Sequence, residues 1–347
     1  MILFHNDYNE ICHPAVLERM RASAENQMPG YSEDPCCAYA ADLIRKECGD
    51  ASLAVHFLVG GTQTNLTVIA ASLRPHQGVI SAQSGHVNVH ETGAIEATGH
   101  KVILVPSHEG KVCPREIAAL VHSQSMAMDA EHIVQPKMVY ISNPTEYGTT
   151  YSHAELSELS RLCKELGLYL YVDGARMGYG LAAASNDITL ADYARLCDAF
   201  YIGGTKVGTM FGEAVVIPNK AIAEDFRYIM KQRGGMLSKG WLLGVQFAAM
   251  FEDGLYYRIS RHADAMADRL RKTFRELGYP LYLPNDTNQV FVTLPKTLLT
   301  ELSKEFTYAN WEEVDEDHLT VRFCTSWATK QAHVDALCDR LTALTNS

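Results

Sequence analysis

No stretch of this 347-residue chain approaches the roughly 18 consecutive apolar residues that a membrane span needs. The opening Met1-Ile-Leu-Phe-His-Asn-Asp7 has neither the basic segment nor the apolar segment of a secretory leader, so the expected location is the cytoplasm. Basic residues are scarce and scattered singly: 30 Lys and Arg stand against 41 Asp and Glu, a net charge of −11 with a pI near 5.7. Without a basic stripe, neither nucleic acid nor an anionic membrane is an expected partner. The nine cysteines contain no Cys-x-x-Cys pair, which removes the common zinc and redox spacings and reads them as reduced core thiols. There is no internal repeat and no low-complexity linker, which argues against a solenoid or two parts on a tether.

What is present is ordinary for a folded chain: 47% apolar and 20% charged residues. Against a prior of roughly 150 residues per domain, the length predicts one large domain with a smaller companion. Short apolar runs bounded by Gly, Pro or Asp recur at 101–105, 137–142, 168–172, 199–202 and 214–217. Between them lie segments of helical period, such as 152–166, where Leu156, Leu159 and Leu162 face away from Glu155, Glu158 and Lys164. Strands alternating with helices predict an α/β fold with a mainly parallel sheet flanked by helices. From about Gly240 the pattern changes to an apolar helix (241–251), a charged helix (258–277) and short strands near 290–294 and 319–323. The expected division is therefore a large domain over 1–240 and a smaller α+β domain over 241–347.

Three local features carry chemistry. The apolar run Leu168–Val172 ends on Asp173-Gly174-Ala175-Arg176, and carboxyl ends of strands point into the ligand crevice of open α/β sheets. Asp-Gly after a strand is also common turn chemistry. The next run ends Ile202-Gly203-Gly204-Thr205-Lys206, where glycines leave room above a lysine that, once buried, can bond a carbonyl carbon. Phe57-Leu58-Val59 runs into Gly60-Gly61-Thr62 and an apolar helix, a strand, glycine turn and helix N-terminus able to hold an anion. It lacks the lysine of a phosphate loop and the spacing of a dinucleotide fingerprint. A small phosphorylated cofactor that bonds a lysine and whose ring nitrogen wants an acid needs all three together, and pyridoxal 5'-phosphate is that cofactor. Asp173 would pair with the ring nitrogen, Arg176 with the ring phenolate, and His86 would stack on the ring face.

The ordered set Gly30-Tyr-Ser-Glu-Asp-Pro35, Gly60-Gly61-Thr62, His86 with Glu91, Asp173-Gly-Ala-Arg176, Lys206 and Val321-Arg322 resembles the L-threonine aldolase and β-eliminating lyase family. The resemblance implies the aspartate-aminotransferase-like fold type I: a seven-stranded, mainly parallel sheet, a small C-terminal domain, and sites built between subunits of a homodimer or homotetramer. It implies Lys206 as the Schiff-base lysine beside Thr205, Asp173 and Arg176 on the ring, and Gly60, Gly61 and Thr62 on the phosphate. Arg322 would grip the substrate carboxylate, which suits a guanidinium fork. His86 and His132 are the candidate proton carriers. The implied reaction cleaves a β-hydroxy-α-amino acid, L-threonine or L-allo-threonine, to glycine and an aldehyde.

Departures from the family pattern gather on the substrate side. Arg-Ser-Asp-Thr is His5-Asn6-Asp7-Tyr8 here, putting Asn6 where a serine meets substrate. Leu237 stands where arginine is frequent, and Ser142-Asn-Pro-Thr-Glu-Tyr147 replaces Glu-Asn-Thr-His. Other readings are β-elimination on the same cofactor, a metal-dependent hydrolase using the i, i+4 pair His86 and His90, and a non-catalytic binding protein. The second lacks a third ligand, so no metal is expected. The run Glu312–Asp317 reads as a solvated loop, and helix 241–251 as an interface or a core element.

Overall fold

The computed structural model describes residues 1–346. Its centre is a seven-stranded sheet formed by β1 (Ala54–Leu58), β2 (Gln77–Ala82), β3 (Val102–Val105), β4 (Gln135–Ser142), β5 (Tyr169–Asp173), β6 (Ala199–Gly203) and β7 (Glu213–Ile217), in the order β1-β7-β6-β5-β4-β2-β3. β7 runs antiparallel to both neighbours, and every other pairing is parallel. The carboxyl ends of β1, β4, β5 and β6 therefore share one edge with the amino end of β7.

Both faces of this sheet are covered, so its strands are apolar on both sides. Alternate residues feed opposite cores: Val139, Leu170, Val172, Phe200, Ile202 and Val216 one, Met138, Tyr140, Tyr171, Tyr201 and Val215 the other. The period of two thus puts three tyrosines of adjacent strands on one face. Helix α1 (Gly61–Ser72) leaves β1 through the glycine turn. Helix α2 (His153–Leu166) begins with Ser152 and Glu155 capping each other's backbone N–H and ends at Gly167, whose φ of 67° favours glycine.

Helix α3 (Trp241–Phe251) is a core helix rather than an interface: Leu243, Val245, Phe247, Met250 and Phe251 are buried within the chain. The cores also part beyond residue 240. Helix α4 (Leu255–Glu276) gives Leu255, Tyr256, Ile259 and Ala263 to the large core, and Met266, Leu270 and Phe274 to the small one. The small core rests on the antiparallel sheet of β8 (Gln289–Pro295), β9 (Ala309–Glu313) and β10 (His318–Cys324), and it also takes in Phe4. The N-terminus is thereby anchored on the small domain. Of the expected acidic loop, Glu312 and Glu313 belong to β9 and the rest forms the turn to β10. Among the nine free cysteines Cys113 is exposed and Cys36 half-buried, so the reading as core thiols holds for the other seven.

Candidate active site

A cleft of about 330 Å³ opens at the shared strand edge, lined from four strand ends. Gly60, Gly61 and Thr62 follow β1, Ser142 closes β4, Asp173 closes β5, and Thr205 with Lys206 follow β6. Sequence positions up to 146 residues apart meet because parallel strands deliver their ends to one side.

Asp173 is buried, and its carboxylate accepts hydrogen bonds from Tyr201 Oη at 2.5 Å, Tyr140 Oη at 2.6 Å, Asn65 Nδ2 at 2.9 Å and the Ala175 N–H at 3.0 Å. Asn65 is itself set by Tyr171 Oη at 2.8 Å and also donates to Glu91, which lies 2.7 Å from His86 Nδ1. Burial is the largest influence on Asp173 and would raise its pKa. The nearby His86, the two phenols and the backbone N–H outweigh it, so the carboxyl sits below its ordinary value. It remains an anion at the floor of the cleft.

Lys206 forms no ion pair and donates no hydrogen bond among the described residues. Burial, then the charge of Arg176, lowers its pKa, against Asp7, Asp173 and Glu213. Arg176 lines the same cleft and is paired through Nε and Nη2 with the buried Asp7, at 2.7 and 3.0 Å. At the other end, the cap residue Gly60 has no side chain to satisfy the first N–H groups of α1. A Cβ at Gly61 would come within 3.1 Å of the Tyr201 hydroxyl, so glycine keeps that approach open.

His86 lines the cleft, and its backbone N–H donates to Glu146 Oε1 at 2.9 Å. His132 does not. It is exposed in the short turn before β4, whose eight residues separate it by roughly 25 Å from the end where Ser142 lines the cleft. Asn6 Oδ1 accepts the Tyr8 N–H at 2.9 Å, and Tyr8 is the N-terminal residue on the cleft wall. Arg322, on β10, does not line the cleft. Its Nη1 and Nη2 donate to Gln289 Oε1 and the His5 carbonyl at 3.1 and 3.2 Å, and its buried Nε has no acceptor. It has no carboxylate partner among the described residues, although His90 and Cys324 both feel its charge together with those of Lys206 and Arg176.

Asp7, Asn65, Tyr140, Tyr201, Glu146 and Glu213 escaped the sequence reading as site residues. The tyrosines had a signal, an aromatic at matching points of adjacent apolar runs. Glu213 had another, a carboxylate opening an otherwise apolar strand. Glu91 takes His86 Nδ1, and no group of three or more candidate metal ligands gathers among the described residues.

A free lysine amine, a buried acid held as an anion, and unclaimed N–H groups at a helix start fit an aldehyde, a ring nitrogen and a phosphate. Fold and site together define a pyridoxal-phosphate-dependent enzyme of the aspartate-aminotransferase-like type. Residues 11–297 match the β-eliminating lyase family model. The chain is 30% identical over 346 residues to the low specificity L-threonine aldolase of a Pseudomonas species, covering 98% of this chain and 96% of that protein. A solved Leishmania major threonine aldolase is similar with a TM-score of 0.97 at 43% identity, covering 99% of this chain and 100% of that one. A Thermus thermophilus aspartate aminotransferase, at a TM-score of 0.73 and 15% identity over 99% of this chain and 91% of that one, shares the fold. The chain belongs to the β-eliminating lyase family, whose cofactor is pyridoxal 5'-phosphate.

Proposed function

We propose that this protein cleaves the Cα–Cβ bond of a β-hydroxy-α-amino acid, L-threonine or L-allo-threonine, to give glycine and an aldehyde. The observation that carries the proposal is the Lys206 amine, without a hydrogen-bond or ion-pair partner among the described residues, in one cleft with the buried Asp173 carboxylate, in a chain similar along nearly its whole length to low specificity L-threonine aldolase. Lys206, beside Thr205, would hold the cofactor's aldehyde carbon, Asp173 its ring nitrogen, Arg176 its phenolate side, and Gly60, Gly61 and Thr62 its phosphate. Bound there, the cofactor supplies an electron sink for the charge left on Cα when the Cβ bond breaks.

The chain's own residues do the rest. Arg322 is not on the cleft lining, but its charge reaches Cys324 together with those of Arg176 and Lys206; without a carboxylate partner among the described residues, it would bind the substrate carboxylate and orient the substrate. His86, oriented by Glu91 at Nδ1, takes the proton from the β-hydroxyl as the aldehyde forms. Asp173 keeps its charge because four donors already point at it, so it needs no rearrangement during turnover. The protein is proposed to work in the cytoplasm as a homodimer or homotetramer. Support comes from the absence, among the described residues, of any helix long and apolar enough to cross a membrane, and from the family-like Gly30–Pro35 segment, whose Tyr31 is exposed.

Absorbance between 300 and 500 nm, recorded with L-threonine, L-allo-threonine and glycine, tests the reading. A cofactor band that shifts with these ligands, with acetaldehyde released from the hydroxy amino acids, is expected. Lys206→Ala should abolish turnover. Pyruvate and ammonia without aldehyde would replace the reading by β-elimination, and no band after adding pyridoxal phosphate would remove the cofactor from it.

A further inference from the structure

Glu213 is the acid that the cofactor roles leave unused. β7 runs against its neighbours, so its first residue lies at the strand edge where Leu58 and Gly203 end, and Glu213 pairs with both. Its side chain lines the cleft, although the residue is only 4% exposed. Both oxygens are engaged: Oε2 accepts the Gly204 N–H and Oε1 the Thr205 hydroxyl, each at 2.9 Å. Thr205 Oγ1 in turn accepts the Gly212 N–H at 3.0 Å, and the Gly204 and Thr205 N–H groups reach the Gly212 carbonyl, each at 3.1 Å. Residues 204–212, which include Lys206, thus form a loop closed at its base by this carboxyl.

We propose that Glu213 is a positioning residue for Lys206, fixing the turn that presents the amine and setting the charge that the amine meets there. The inference rests on the reading that Lys206 bonds the cofactor. A structural brace alone does not call for an acid: the rest of β7 is Ala214-Val-Val-Ile217, and an ionised side chain is costly among apolar neighbours. Facing Glu213 are Lys206, Asp173 and the phenols of Tyr171, Tyr201 and Tyr256. Burial pushes its carboxyl up to about 8, against the pull of its two donors and of Lys206. Burial and Arg176 bring the lysine down toward it. The carboxylate charge therefore favours the protonated form of the Lys206 nitrogen.

The test is a pH titration of the cofactor absorbance band in the holoenzyme, whose midpoint reports the proton on the Lys206 nitrogen. Glu213→Gln keeps the size of the side chain and removes its charge. Its midpoint should fall by about one unit or more, because a neighbouring anion no longer stabilises the protonated nitrogen. Thr205→Val removes one donor to the carboxylate, so it should move the midpoint the same way by less, and it decides the matter if Glu213→Gln does not fold. An unchanged midpoint in Glu213→Gln, or in Thr205→Val where only that variant folds, overturns this inference alone. A wild-type protein with no band overturns the Lys206 reading and this inference with it.

Discussion

Arg176 and Asp7, 169 positions apart in sequence, form a two-pronged ion pair, with Nε and Nη2 lying 2.7 and 3.0 Å from the two carboxylate oxygens. Asn288 Nδ2 adds a third donor to Asp7 at 2.9 Å. One buried carboxylate therefore joins the N-terminal segment, the cleft floor and the small domain. Arg176 in that pair also lines the cleft.

Removing this anion leaves a buried guanidinium uncompensated, so Asp7→Asn should lower unfolding free energy by about 3 kcal/mol. Burial alone would raise the Asp7 pKa, but Arg176 and Lys206 outweigh it and hold the carboxyl at about 2, against an ordinary 3.8. A depressed carboxyl stabilises the fold fully above its unfolded pKa. The contribution, about 2 kcal/mol, is lost as pH falls from 3.8 toward 2. Urea unfolding at pH 7 and at pH 3 checks both: the gap between wild type and Asp7→Asn should shrink at the lower pH.

The features legible in the sequence were local ones. Gly60-Gly61-Thr62 and Asp173 stand directly after apolar runs and Lys206 follows one by a short glycine turn, so the rule that strand ends carry the ligand located them one by one. Asp7 was opaque because nothing near residue 7 shows that residue 176 is its partner. The three tyrosines around Asp173 read as core, which they are. Only the register of β4, β5 and β6 turns two of their hydroxyls onto one carboxylate. For His132 the composition was suitable but the end of the strand was wrong, since a histidine before β4 lies at the sheet edge opposite the cleft.

That difference gives a paired prediction. His132→Ala should leave kcat/KM within about twofold, as expected of an exposed residue with no partner in the cleft. His86→Ala should cost on the order of 100-fold if it carries the hydroxyl proton. Initial rates with L-threonine on both variants decide it, and equal losses would return His132 to the site.

Helix α3 offers a test of packing. Phe247 is fully buried and its ring lies 5.2 Å from that of Phe57 on β1, so the helix is held against the sheet by its own chain. Phe247→Ala should destabilise the protein by about 4 kcal/mol through lost burial and the cavity left behind. Thermal unfolding measured at two protein concentrations separates the cases: a core helix predicts the same loss at both, whereas an interface helix predicts a loss that grows on dilution.

Asp173 gives the strictest prediction, because its environment is built entirely of donors. Tyr140, Tyr201, Asn65 and the Ala175 N–H all point hydrogen at it. Asp173→Asn keeps the shape but replaces one acceptor oxygen by an NH₂ group, which turns two of those contacts into donor facing donor. Each buried donor left without a partner costs about 1–3 kcal/mol. The phenols can rotate away, but Asn65 cannot do so freely, since its Oδ1 is already held by Tyr171. The variant should lose about 3 kcal/mol of stability. Separately, it should lose on the order of 100-fold in turnover, because the preorganised anion is gone. Measuring stability without added cofactor and turnover at saturating pyridoxal phosphate keeps the two apart. A variant that loses stability but keeps full activity would mean that the four donors serve the fold alone and that the ring nitrogen finds its acid elsewhere.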